Sequence, residues 1–218
     1  MTRSRRTFLA AGAAGTLALT AGCLDFALGN GPLELSSDRV APTDAALEEA
    51  GYVEDAVEQR TVDETIDARI ERDVEATVWL SRYSKTIDYQ GSEREAGFFG
   101  AVSVPDFSVL GRSFNPIADM SNEELLSEFL DRFEGDYGTV DDTAPKESFA
   151  LDILGDGRQV DVFEGEAKYE GERIEIELAV TSFSHEDDLI VLLGTYPAAL
   201  AKESANVEVL MESAEHPV

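Results

Sequence analysis

Two histidines, one cysteine and 45 carboxylate side chains are the groups in this 218-residue chain with the most obvious chemistry. His185 stands beside Glu186, Asp187 and Asp188. That pattern suits a general base with its carboxylate, or one corner of a metal site, because an imidazole titrates near neutrality. One histidine among three adjacent acids does not complete a coordination shell, and neighbours at a turn point in different directions. A solvated hairpin turn is the expectation there, and a hydrolase or metal-dependent enzyme centred on His185 is the rival. His216, two residues from the end, is expected to fray. The acid-rich stretch Asp136 to Asp142 offers oxygens to calcium, but it lacks the alternating Asp/Asn ladder closed by Glu. No Gly-x-Ser-x-Gly elbow, Walker loop, Gly-x-Gly-x-x-Gly turn or zinc spacing occurs. No cofactor and no resident metal are expected.

The cysteine carries a stronger signal. Arg3, Arg5 and Arg6 precede a weakly apolar run with no acid before Asp25, the layout of an export signal. Ser4-Arg5-Arg6-Thr7-Phe8-Leu9 is its twin-arginine form, read by machinery that exports folded proteins. From Phe8 to Ala21 there are too few strongly apolar residues to cross a hydrocarbon core, which takes about 20. Cys23 follows Thr20-Ala21-Gly22, the small residues a signal peptidase requires. A lone thiol has no disulfide partner within the chain, so it is either free or chemically used. Cleavage before Cys23 and lipidation of its sulfur would give an anchored lipoprotein, since two acyl chains hold stably where one is marginal. The alternative is an ordinary cleavage site that contains a cysteine. On the lipoprotein reading residues 1–22 are signal, 23–33 are lipidated cysteine and tether, and 34–218 form one domain.

Charge constrains the surroundings. Seventeen basic residues face 45 acidic ones, a net charge of −28. Without the three signal arginines, 14 basic residues face the same 45 acids and the net charge is −31. Self-repulsion on that scale destabilises a compact chain in dilute buffer, and halophilic proteins are its usual home. Salt at 1 M shortens the screening length to about 3 Å. With 43% hydrophobic residues and acids spread among apolar positions, the chain is too apolar for disorder. The missing Lys and Arg clusters argue against nucleic acid as a partner.

The elements that must position any site follow from periodicity. Leu33 to Val40 is expected as a first strand, and Thr43 caps a helix over 44–50 that Gly51 ends. Tyr52 to Thr65 should pair with Arg72 to Asp88, whose apolar residues on both faces demand cover on both sides. Phe98 to Val104 forms another strand, stopped by Pro105. The loop Phe107 to Met120 has no clean period, and Phe107, Phe114, Asn115 and Pro116 make it the candidate binding loop. Packing of its apolar residues against the sheet is the plainer reading. Ser121 and Glu124 form a capping box ahead of the apolar face Leu125, Leu126, Phe129, Leu130 and Phe133. Ser148 to Leu154, Arg158 to Tyr169 and Arg173 to Phe183 then join through hairpin turns at Gly155-Asp156-Gly157 and Glu170-Gly171. Leu189 to Leu193 is a central strand, and a last helix begins near Ser204. The fold class is α+β: a largely antiparallel sheet of about seven or eight strands with two main helices packed on it.

The twin-arginine lipobox, the loop Gly111 to Met120 before a capped helix, the strand Val160 to Gly165 and the turn Ser182 to Asp188 before an apolar strand ending Gly194-Thr-Tyr-Pro197 resemble one family. It is a family of haloarchaeal lipoproteins defined only as a domain of unknown function, and the likeness spans most of the chain. The resemblance implies a single lipid-anchored domain on the extracytoplasmic face of the cell membrane. It supplies no catalytic residues. Residues and resemblance together point to a non-catalytic binding or envelope-assembly module, exported by the twin-arginine machinery and held at the membrane, whose partner is an envelope protein or a small ligand. Diluting salt below about 1 M should unfold the domain as screening lengthens; a melting temperature indifferent to salt would contradict the halophilic reading.

Overall fold

The computed structural model describes residues 32–67, 71–89, 91–106, 108–109, 112–113, 115, 117–133, 140–169 and 172–218. The export signal, Arg5, Arg6 and Cys23 lie outside them, as do Phe107, Phe114 and Pro116 of the candidate loop.

Long strands dominate. In chain order they are β1 (Leu33–Ser36), β2 (Ala41–Pro42), β3 (Val53–Asp67), β4 (Glu71–Tyr89), β5 (Ser92–Pro105), β6 (Ser108–Val109), β7 (Arg112–Ser113), β8 (Val140–Ile153), β9 (Asp156–Tyr169), β10 (Glu172–His185), β11 (Asp188–Pro197) and β12 (Ala214–Glu215). Three helices interleave with them: α1 (Asp44–Ala50), α2 (Asn122–Phe133) and α3 (Ala201–Glu212). One eight-stranded sheet runs β1-β4-β5-β11-β10-β9-β8, with β3 also on β4. Because β1 and β3 both pair with Val74–Thr77, they lie on opposite sides of β4, and β1 meets the end of β5 along the other side. Among the described residues β3 and β8 are therefore the two outer edges.

Expectation and structure differ in several places; β5 and β8, for instance, begin at Ser92 and Val140, ahead of the expected Phe98 and Ser148. The sheet is mixed, since β1 runs parallel to β4 while every other pair in it is antiparallel. A parallel neighbour needs no tight turn, so nothing local to Leu33–Ser36 announces it. The described helices number three, with the short α1, expected over 44–50, packed against α3 beside the two longer ones. The last helix starts at Ala201, about a turn before Ser204, and Ala214 belongs to β12.

The alternation of β11 shows why the sheet is covered on both sides. Ile190 and Leu192 join Tyr83, Phe99, Phe183, Val207, Leu210 and Met211 in one core beneath α1 and α3. Leu193 instead joins Phe98, Phe163, Ile176, Leu178 and Val180 in a second core that Leu126 of α2 closes. A strand with apolar residues at successive positions must be buried on both faces. Thr43 caps α1 through its hydroxyl, which accepts from Ala46 N–H at 3.3 Å, and Gly51 ends it with φ +76°. Across the sheet, Ser121 N–H donates to Glu124 at 2.8 Å and Glu124 N–H donates back to the Ser121 hydroxyl at 3.3 Å, the expected box. The Ser121 N–H, with the Ser121 hydroxyl that also lies 2.9 Å from the same carboxylate oxygen, holds the Glu124 carboxyl below its ordinary pKa.

Close approach fixes α3 on the sheet. A Cβ at Gly194 would overlap the Val207 side chain, whereas one at Gly157 would meet nothing within 4 Å. Lys85 of β4 meets the Glu203 carboxylate of α3 at 3.0 and 2.7 Å in a largely dry setting, and Asn206 braces the same carboxylate at 2.9 Å. Gly194→Ala should cost about 1–3 kcal/mol through overpacking, measured by denaturant unfolding, while Gly157→Ala serves as the near-neutral control. Equal effects at the two positions would contradict this packing.

Candidate functional site

The two histidines, far apart in sequence, meet. β10 and β11 form a hairpin in which His185 pairs with Asp188 across Glu186-Asp187. Glu186 turns the chain with φ 54°. The C-terminal segment returns over this hairpin, because β12 pairs with β2 and the Val218 N–H donates to the Arg39 carbonyl at 3.1 Å. His216 is thereby carried inward, its side chain only 1% exposed. The expected frayed terminus is overturned: backbone pairing on both sides of His216 holds it in place.

Its ring completes a chain of polar contacts. His216 Nε2 lies 3.0 Å from Asp188 Oδ2, and its Nδ1 lies 3.1 Å from His185 Nδ1. An ionised carboxylate only accepts, so Nε2 of His216 carries the proton. In neutral His216 the Nδ1 then accepts, which assigns the shared proton to His185 Nδ1 and leaves His185 Nε2 as the lone-pair nitrogen of a half-buried ring. That is a carboxylate–imidazole–imidazole relay, able to orient a base at His185.

The same carboxylate also does structural work. Asp188 Oδ2 accepts from the Asp38 N–H at 2.8 Å and from the Ser103 hydroxyl at 3.3 Å. Just before Asp38, the Ser37 hydroxyl sits between the carbonyls of Ser103 (2.9 Å) and Thr77 (3.1 Å), and Trp79 Nε1 donates to the Ser37 carbonyl at 3.1 Å. Ser37, Ser103 and Asp188 are all buried. Nearby, Ser184 donates its hydroxyl to Asp106 at 2.7 Å, so the hydroxyl next to His185 in sequence is already engaged.

A second site lies on the α2 side of the sheet. Ser121, Asn122 and Glu123 at the start of α2, Pro145 to Ser148 of β8 and Asp161 to Phe163 of β9 line an open groove of about 330 Å³. Asp161 accepts from Ser148 (2.6 Å), Gln159 (2.7 Å) and Asn122 (2.7 Å). Burial works to raise its pKa, but the three donors together outweigh that and hold the carboxyl below its ordinary value. Asn122 is held in turn, its carbonyl accepting from Ser182 at 2.8 Å. On the rim, Lys146 pairs with Glu177, whose bond raises the lysine's pKa. Glu177 also accepts from the Tyr196 hydroxyl at 3.2 Å, and burial first, with the nearby carboxylate, pushes that phenol up to about 12.

The sequence-predicted residues divide between these places. Of the candidate loop, Asn115 is described and is a buried latch: its Nδ2 donates to the Pro105 carbonyl at 3.2 Å and its Oδ1 accepts from Ile117 N–H at 3.1 Å. His185 is joined to Asp188 through His216 and not through its sequence neighbours Glu186 and Asp187. The groove was missed altogether. Its only advance signal was the capping box, which placed Asn122 at a helix start without showing that Asp161 would come beneath it. Among the described residues no group of three or more His, Cys, Asp or Glu is arranged to hold a metal ion, and no helix is long and apolar enough to cross a membrane.

Among the described residues, a two-sided mixed sheet closed by three helices, with a histidine relay at one strand turn and an open groove on one face, defines an α+β domain without an assembled metal centre. Over residues 39–215 the chain matches the domain of unknown function DUF6517, and it belongs to that family. No curated protein matches it.

The relay separates structural from chemical roles. His216→Ala strands the Asp188 carboxylate and should destabilise the domain by about 1.5–3 kcal/mol, the range for hydrogen bonds to charged groups. His185→Ala, at the half-buried end, should cost clearly less. Paired urea melts check the order, and a reversed order would mean that the relay does not secure the C-terminal segment.

Proposed function

We propose that this chain is a lipid-anchored, extracytoplasmic binding or envelope-assembly module, non-catalytic, whose small-ligand site is the groove between α2 and β8. The anchor and the location rest on the twin-arginine pattern at Arg5 and Arg6, the small residues before Cys23, and an acid excess suited to brine. The observation that carries the binding reading is the preorganised floor of the groove, where three donors fix the Asp161 carboxylate before any ligand arrives. Its volume of about 330 Å³ falls at the lower end of small-molecule sites. Asp161 beneath, Lys146 on the rim and Phe163 in the wall suit a small polar solute bearing an ammonium or hydroxyl group.

The second reading, a hydrolase or metal-dependent enzyme centred on His185, is favoured by the relay to Asp188. It needs a nucleophile or metal at His185 Nε2, and the adjacent Ser184 hydroxyl is committed to Asp106. Binding therefore ranks first.

A thermal-shift screen in molar salt against amino acids, sugars and quaternary amines tests the choice. Binding predicts a stabilising ligand whose effect is lost in Asp161→Asn and kept in His185→Ala. Turnover of an ester or phosphoester substrate that disappears in His185→Ala would instead establish the enzyme. The folded-state pKa of Asp161 is depressed, so its ionised form contributes stability that is present above the ordinary Asp range and lost as pH falls through the folded value. Asp161→Asn should flatten that acidic limb.

A further inference from the structure

Between β4 and α3, three side chains are arranged for a reaction within the chain. Lys85 of β4 and Glu203 of α3 form an ion pair whose side chains are only 13% and 7% exposed. Lys85 Nζ lies 3.0 and 2.7 Å from the two carboxylate oxygens. Asn206, further along α3, donates its Nδ2 at 2.9 Å to Glu203 Oε2, the same oxygen that lies 2.7 Å from the lysine. Positions three apart on a helix share a face, so Glu203 and Asn206 meet β4 together. An amine, a carboxamide and a carboxylate that touches both are the parts of an amide exchange.

The lysine end of this cluster is kept dry. The Tyr52 ring centroid lies 5.6 Å from Lys85 Nζ, and a Cβ at Gly51 would come within 3.4 Å of Lys85 Cε, so the chain packs closely along the lysine stem. Tyr52 is buried and its hydroxyl makes no hydrogen bond. Burial first, with the Glu203 charge, raises the pKa of that phenol, so it stays protonated and adds no second anion beside the lysine. In a dry pocket the ion pair loses the hydration that favours it over its neutral form, an amine beside a carboxylic acid. The neutral amine is the nucleophile, and holding it beside the amide replaces an encounter in solution.

We propose that Lys85 and Asn206 become joined by an isopeptide bond, with Glu203 moving the protons. The Lys85 ammonium passes one proton to the Glu203 carboxylate, and the freed Nζ attacks Asn206 Cγ to give a tetrahedral intermediate. Glu203 hands its proton to Nδ2 and takes a second one from Nζ. The Cγ–Nδ2 bond breaks, the Cγ–Nζ bond remains, and one ammonia leaves, taking the proton left on Glu203 as it becomes ammonium. The product ties β4 to α3 covalently. A chain with one cysteine has no disulfide of its own to do this, and an amide is indifferent to salt where surface ion pairs are screened. This inference stands apart from the groove, and neither depends on the other.

The test digests the full chain, purified in molar salt, with trypsin and reads the peptides by mass spectrometry. The parent should yield a branched peptide joining Lys85 to Asn206, lighter than its two arms together by one ammonia, about 17 Da. Glu203→Gln keeps the shape of the side chain but carries no proton between the partners, and should give unlinked peptides from a chain with the parent's circular dichroism. Asn206→Ala, at a half-buried position, removes the acceptor without disturbing the ion pair and should also stay unlinked. Asn206→Asp should restore the same branched peptide, with water leaving in place of ammonia. A parent chain in which Lys85 and Asn206 are unlinked, a branched peptide that survives Glu203→Gln or Asn206→Ala, or a bond from Lys85 to Glu203 itself would overturn the proposal.

Discussion

One carboxylate oxygen closes this fold. Asp188 Oδ2 gathers the Asp38 amide, the Ser103 hydroxyl and the His216 imidazole, and so joins the exit of β1, the end of β5, the start of β11 and the C-terminal segment. A buried charge is tolerable only when hydrogen bonds replace its hydration, and here three donors from three separate parts of the chain converge on one oxygen. The parallel strand β1 has no hairpin to hold it in register, and Ser37 and Asp38 supply the substitute. Removing any one donor leaves the others around an under-solvated charge, so the ends of the domain depend on each other.

The same economy of cations runs through the molecule. Of four lysines, Lys85 is spent on Glu203 inside and Lys146 on Glu177 at the groove. Arg39, Arg82, Arg158 and Arg173 pair with Glu54, Glu58, Asp156 and Glu166. With 45 acids against 17 basic residues, most carboxylates have no cation to meet. They remain hydrated, which suits concentrated salt and leaves the apolar interior to the two cores.

Strongly periodic or capped segments were legible before the structure. Thr43 and Gly51 bounded α1, Ser121 and Glu124 opened α2, and Leu189 to Leu193 announced a strand covered on both faces. The hairpins were legible too, although the first turns at Leu154-Gly155, with φ 52° and 79°, and Asp156 is already in the next strand. What stayed hidden depends on long-range return of the chain. His216 reads as a loose end because its partners, Asp188 and His185, lie about thirty residues upstream, and backbone pairing of β12 with β2 brings them together. Asp161 reads as one more acid on an alternating strand until Asn122 and Ser148 arrive from other elements. Arg5, Arg6 and Cys23 lie outside the described residues, so their proposed role as an export and lipidation signal rests on local order alone.

The proposed function stands on that signal, because a groove serves an envelope only if the domain is held there. Intact-mass and peptide mass spectrometry of the protein extracted from native membranes tests this most directly. The account predicts a chain that begins at Cys23 and carries acyl mass on its sulfur. A chain that begins upstream of Cys23 with an unmodified thiol would contradict it.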